Sequence, residues 1–384
     1  MKILTLYLLF FLQLFGCAID NPKAPDNNIP PNEVVSPDDE NVEPEEDKSL
    51  FYEFEEEAML LLNNMTLEEK IGQMFLARCP EDENLSLYLS MKPGGFIMFG
   101  RDFYGKTKEE VINNINYYQE NSNIPMIIGV DEEGGTVVRI SSNLNIAVEP
   151  FKSPQELFRQ GGYEKIKRDT EEKSKLLKSL GINLNLSPVA DVSTNPEDFI
   201  FDRSFGKPAK ETSKYVKIVV ETAKENKISS TLKHFPGYGN NVDTHTGSAY
   251  DKRPFEEFLR SDFIPFKAGI DAGAESILVS HNIVKSIDAK RPASLSKKVI
   301  DILRNEMEFS GIIMTDDLSM GAISQDSSPE VMAVLAGNDM LIVSDLETSY
   351  NTLLSAVSKG DISEDRINES VLRIIKWKIA RTFI

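Results

Sequence analysis

Gly311-Ile312-Ile313-Met314-Thr315-Asp316-Asp317 is the stretch on which the fold turns. An apolar run ends abruptly in two carboxylates. A strand covered by helices on both faces reads as such a near-continuous hydrophobic run, with no inside-outside alternation. Seven further runs of this kind occur: Gly72–Leu76, Gly95–Phe99, Pro125–Val130, Ile182–Leu186, Ile228–Leu232, Ser276–Val279 and Asp339–Val343.

Between them lie segments of helical spacing. Lys106–Glu120 carries Val111, Ile112, Ile115 and Tyr118 on one stripe; Glu164–Leu180, Lys210–Asn226, Phe255–Ala272, Lys297–Phe309, Pro329–Ala336 and Thr348–Ala380 are the others. Alternation of strand and helix calls for a parallel sheet. Eight strands in about 330 residues fit a closed (β/α)8 TIM-type barrel better than an open sheet. The barrel domain is expected over 50–384, with no sequence left for a second catalytic domain.

In such a barrel the working residues come from the carboxyl ends of the strands. Here those ends carry Asp131, Glu132 and Glu133 with Arg139 shortly after, then Asp191 followed by Asp202 and Arg203. Next come Lys233-His234-Phe235-Pro236-Gly237-Tyr238-Gly239 with Asp243 and His245, then His281, then Asp316-Asp317. The protein has three histidines, and all three fall on this one rim. Any one alone could be a core histidine; together, among carboxylates and cations, they point to a site.

The first 16 residues are of another kind. Lys2 precedes an apolar stretch, Ile3–Phe15, too short for a membrane span, and Leu14-Phe15-Gly16-Cys17 follows. This resembles a bacterial lipoprotein signal over 1–16, with Cys17 as the lipidated residue; an ordinary secretory signal is the alternative. From Ala18 to Glu57 there are 14 acidic residues against two lysines, out of a net charge of −19. Rich in proline and charge, 17–49 is expected to be a disordered acidic tether on a lipid anchor. Export to the cell envelope, periplasmic or surface, and contact with a membrane through the anchor follow as expectations. The charge balance argues against nucleic acid as a partner, since neutralising phosphates needs clustered cations. Cys79 is the only other cysteine, which leaves no disulfide framework and reads as a buried thiol. No Cys/His spacing of the zinc type occurs.

Lys233-His234-Phe235-Pro236-Gly237 with Asp243-x-His245, and Gly311–Met320, resemble the hallmarks of bacterial β-N-acetylglucosaminidases of glycoside hydrolase family 3. Asp131-x-Glu133-Gly134-Gly135, Arg139 and Arg203-Ser204-Phe205-Gly206 fit the same family, in the same order, over about residues 65 to 345. The resemblance implies Asp316 as the nucleophile, and His245, paired with Asp243, as general acid and base. It implies sugar contacts for Asp131, Arg139, Arg203, Lys233 and His234, and for His281 either a supporting part or direct contact. The chemistry agrees: retaining hydrolysis needs an ionised carboxylate under the anomeric carbon and a group that protonates the leaving oxygen. Asp317 reads as a helix-capping aspartate at a strand-to-helix turn, and Gly134, Gly135, Gly237 and Gly239 as loop glycines.

The sequence departs from the family pattern at Tyr238, where a second histidine is common, and at Asn240-Asn241; both bear on loop closure or aglycone preference. The expected activity is removal of terminal β-linked N-acetylglucosamine from muropeptides or chito-oligosaccharides, with no metal or organic cofactor. Phosphorolysis, or a glycan-binding lipoprotein without catalysis, are the alternatives.

Overall fold

A computed structural model describes residues 49–241, 243, 244, 247, 249–323 and 328–381. The signal at 1–16, Cys17, the tether up to residue 48, and His245 lie outside the described residues.

Ten strands are present among the described residues: β1 (Phe75–Arg78), β2 (Gly95–Met98), β3 (Ile127–Val130), β4 (Leu184–Asn185), β5 (Ser229–Phe235), β6 (Tyr250–Asp251), β7 (Ser276–Val279), β8 (Ile283–Val284), β9 (Ile312–Thr315) and β10 (Leu341–Val343). Eight of them form one parallel sheet in the order β10-β1-β2-β3-β4-β5-β7-β9, and β6 and β8 form a separate short pair. A parallel bridge from Met314 to Met340 brings β9 back to β10 and closes the ring. The fold is the (β/α)8 TIM-type barrel. Every residue of β2, β3, β7 and β9 is buried, as the unbroken apolar runs require.

The first strand lies later than the expected Gly72–Leu76. Leu67–Gln73 is helical, started by a capping box in which Thr66 Oγ1 accepts from Glu69 N–H and Glu69 Oε2 accepts from Thr66 N–H. Gly72 sits in that helix because a Cβ there would lie 2.2 Å from the Met91 carbonyl oxygen. The expected helix Thr348–Ala380 is two, Leu346–Lys359 and Glu364–Ala380, separated at Gly360, whose φ of +81° ends the first. Phe255–Ala272 also divides, into Phe255–Arg260 and Phe263–Asp271.

The amino ends of the strands are sealed by structural polar contacts. Trp377 Nε1 donates to Glu275 Oε2 at 2.8 Å, next to the start of β7. Asp339, beside β10, is fully buried between Arg304 and Arg373. Conserving chemistry for the opposite rim is what this architecture does in general.

Candidate active site

At the carboxyl ends of the strands opens a cavity of about 570 Å³. Its wall contains Asp131, Arg139, Arg203, Lys233, His234, Asp243 and Asp316. Seven of the eight catalytic and sugar-binding residues expected from the sequence therefore meet in one place, the eighth being His245.

Asp316 follows β9. Its backbone N–H donates to the Val279 carbonyl at 3.0 Å, fixing it against the end of β7. Its Oδ1 accepts from Asp317 N–H at 2.9 Å. No described residue hydrogen-bonds Oδ2, which leaves that oxygen for a ligand. Burial pushes the carboxyl up, but the charge that His281 and His234 carry when protonated, the Asp317 N–H and Lys233 outweigh it and hold it below the ordinary value. Asp316 is thus a carboxylate ready to act as an anion.

Asp317 takes the turn: its Oδ1 accepts from Ser319 N–H at 2.9 Å and its Oδ2 from the Ser344 hydroxyl at 2.8 Å. His281 is fully buried, with Nδ1 2.7 Å from Ser294 Oγ and Nε2 donating to the Asp317 carbonyl at 3.0 Å. It supports the β9 loop and does not line the cavity.

Lys233 and His234 come from the end of β5. Lys233 is buried, with Nζ 2.6 Å from Asp131 Oδ1 and 2.6 Å from Glu133 Oε1. Glu133 also takes Arg203, so this one carboxylate gathers a lysine from β5 and an arginine from the loop after β4. His234 Nδ1 lies 2.7 Å from Asp191 Oδ2, and Nε2 lies 3.2 Å from Arg203 Nη2. A guanidinium can only donate, so that contact needs the lone pair on Nε2 and places the ring proton on Nδ1, toward Asp191. Asp191 is fully buried and also accepts from His234 N–H and Tyr238 N–H.

The loop after β3 is tied by Glu132, whose fully buried carboxylate accepts from the N–H groups of Arg139, Ile140 and Ser141 and from the Ser141 hydroxyl. This turn brings Arg139 to the cavity, its Nη2 3.7 Å from Asp131 Oδ2. Gly237 bends the loop after β5: its φ is +124°, and a Cβ there would lie 2.2 Å from Asp262 Oδ1.

The sequence reading gave no part to three groups that the site uses. Arg78 ends β1 and lines the cavity, its guanidinium 4.7 Å from the Phe99 ring centre and its buried Nε without a hydrogen-bond partner among the described residues. Glu133 was legible as part of a motif and Asp191 as a charge at a strand end, neither with a role; their partners stand far along the chain, Arg203 at 70 residues from Glu133 and His234 at 43 from Asp191.

An eight-stranded parallel barrel whose carboxyl rim assembles an ionised aspartate, buried cations and hydrogen-bonding carboxylates around one cavity is a glycosidase-type (β/α)8 barrel. Residues 66–377 match the family model "Glycosyl hydrolase family 3 N terminal domain". The chain belongs to glycosyl hydrolase family 3. It is 30% identical over 233 residues to the beta-hexosaminidase of Xanthomonas campestris pv. campestris (strain B100), covering 59% of this chain and 69% of that one. It is 28% identical over 269 residues to beta-hexosaminidase LpqI of Mycobacterium tuberculosis, covering 66% and 68%. Among solved structures it resembles a glycoside hydrolase family 3 beta-N-acetylglucosaminidase from Paenibacillus sp. str. FPU-7, with a TM-score of 0.77 and 29% identity over 83% of this chain. The chain spans 63% of the length of that structure.

Proposed function

We propose that this chain hydrolyses terminal β-linked N-acetylglucosamine from muropeptides or chito-oligosaccharides, with retention at the anomeric carbon. The observation that carries the reading is Asp316: a carboxylate held below its ordinary value, with one oxygen hydrogen-bonded by none of the described residues, in the same cavity wall as Asp243, Lys233 and His234.

In the first step an Asp316 oxygen bonds to the anomeric carbon as the bond to the leaving oxygen breaks, and the imidazolium of His245 gives that oxygen its proton. In the second step the neutral imidazole takes a proton from water, the water oxygen bonds to the same carbon, and Asp316 leaves as a carboxylate. Asp243 orients the ring and favours its protonated form. Asp131, Arg139, Arg203, Lys233 and His234 hold the sugar hydroxyls and the acetamido group through charged hydrogen bonds. The aromatic faces of Phe99 and Phe199 add apolar wall to the same cavity.

The test is release of nitrophenol from p-nitrophenyl β-N-acetylglucosaminide by the chain lacking its first 48 residues, with product analysis in the presence and absence of phosphate. N-acetylglucosamine of retained configuration is expected in both. Sugar 1-phosphate as the main product would replace hydrolysis by phosphorolysis, and no turnover of any β-hexosaminide would favour a binding protein.

Export and lipid anchoring through Cys17 complete the proposal, resting on the apolar segment before Cys17 and the acidic stretch after it. Cys17→Ser is expected to move the protein from the membrane fraction to the soluble one; an unchanged distribution overturns the anchor.

A further inference from the structure

Tyr238 departs from the family pattern, and its surroundings give that departure a use. The ring is buried, packed 5.5 Å from Phe199 and edge-on to His234 at 5.6 Å between ring centres. Its N–H donates at 2.6 Å to Asp191, the carboxylate that also holds His234. Its hydroxyl reaches the segment that carries the acid/base pair: the oxygen accepts from Thr244 N–H at 3.0 Å and lies 2.9 Å from Thr244 Oγ1. Across the cavity mouth, the Thr244 carbonyl accepts from Ala322 N–H at 3.2 Å, in the loop that follows Asp316.

Thr244 is therefore gripped at its N–H, its hydroxyl and its carbonyl, and it is fully buried. Loop backbone ordinarily runs over the surface with its polar groups in water. Burying Thr244 without these partners would leave polar groups unsatisfied in the protein interior. A residue that only filled space beside Phe199 and His234 would need no hydroxyl. Burial also raises the phenol above its ordinary value, so the hydroxyl stays neutral while it accepts from the Thr244 N–H and shares a hydrogen bond with Oγ1.

We infer that Tyr238 is a positioning residue for general acid/base catalysis: its hydroxyl clamps Thr244, which stands in the sequence between Asp243 and His245, and so holds the Asp243–Thr244 backbone in place. This rests on the proposed function. The clamp connects the sugar-binding network of Asp191 and His234 to the proton-transferring segment through one side chain.

The experiment compares wild type with Tyr238→Phe on two substrates, methyl β-N-acetylglucosaminide, whose leaving group needs a proton, and the 2,4-dinitrophenyl glycoside, whose leaving group does not. Expected for Tyr238→Phe is a fall of tenfold or more in kcat on the methyl substrate with KM within twofold. The pre-steady-state release of dinitrophenol should stay within twofold of wild type. Added azide, a nucleophile that needs no base, should raise steady-state turnover of the dinitrophenyl substrate and give glycosyl azide. An equal fall in kcat on the methyl substrate and in pre-steady-state dinitrophenol release, or no fall in either, overturns the clamp. Should Tyr238→Phe fail to fold, Thr244→Val, which keeps the N–H contact and removes Oγ1, is expected to show the same leaving-group dependence at smaller amplitude, and its absence overturns the clamp. A wild type silent on both substrates overturns the proposed function instead, and the clamp with it.

Discussion

Arg203 and Glu133 meet in a two-point ion pair, Nε 3.1 Å from Oε2 and Nη2 2.7 Å from Oε1, and Lys233 Nζ lies 2.6 Å from the same Oε1. Glu133 touches two of the residues proposed to hold the sugar and lies just outside the cavity wall. Its part is to compensate two buried cations and to fix where their remaining donors point.

Glu133→Gln keeps the shape and removes the charge. Breaking a buried pair from one side costs about 3–5 kcal/mol, because the cations stay buried and uncompensated. Chemical denaturation should show a loss of that order, and kcat/KM should fall with it. Burial pushes Glu133 up, but Lys233 and Arg203 outweigh it and hold the carboxyl far below its ordinary 4.5. A depressed carboxyl stabilises the fold above the unfolded value and loses that contribution as pH falls toward the folded one. The stability gap between wild type and Glu133→Gln should therefore be full above about pH 4.5 and narrow below it. A gap that widens on acidification rules the pair out as a stabilising contact.

Asp316→Asn tests the nucleophile. Removing it should lower kcat by on the order of 10⁴-fold or more, with the cavity intact. Since Asp316 is held below its ordinary 3.8, its own protonation cannot shape kcat/KM above that pH. An acid limb centred near pH 5 or higher belongs to another group, and its persistence in the residual activity of an Asp316 variant checks this. A variant keeping a tenth of wild-type turnover removes Asp316 from the mechanism.

Arg78 was not readable as a site residue, because a single arginine ending a short apolar strand carries no motif. In the barrel its guanidinium reaches the cavity over Phe99, where a sugar oxygen would meet it. Hydrogen bonds to charged groups contribute roughly 1.5–3 kcal/mol, so Arg78→Met should raise KM by about ten- to a hundred-fold at the upper range, with kcat nearly unchanged. Melting temperature should hold or rise. An unchanged KM with a melting temperature several degrees lower would make Arg78 a packing residue only.

The strands were legible because burial on both faces writes itself as an apolar run, and the rim residues because strand ends in a barrel share one face. Two boundaries were readable in hindsight: Thr66 and Glu69 spell a helix start ahead of β1, and Gly360 a helix end. The break near Asp262 was not, since it follows from tertiary pairing: Arg253 Nη1 donates to both Asp262 oxygens, at 3.0 and 2.9 Å, under the Gly237 turn. The same holds for Asp191 and Glu133. Glu133 stood in a motif and Asp191 at a strand end, but the partners that give each its part, Arg203 and Lys233 for the one and His234 for the other, lie far along the chain and meet it only in the barrel.

Lys378 supplies a prediction at the other end of the barrel. It is fully buried, its Nζ donating to Gln73 Oε1 at 2.6 Å, and no carboxylate among the described residues pairs with it. Burial pushes its amine down to about 7. An amine depressed in the folded state binds fewer protons there than in the unfolded chain between that value and its ordinary 10.5, so stability must rise with pH across that window. Below it both states are protonated, and the cost of the buried cation is carried in full. Lys378→Met, similar in length and uncharged, should remove this rise, leaving Gln73 Oε1 unpaired at a pH-independent cost of about 1–3 kcal/mol. Denaturant titrations of wild type and variant at intervals from pH 6 to pH 10 read the difference directly. Parallel curves over that range would show that the amine stays protonated in the folded protein.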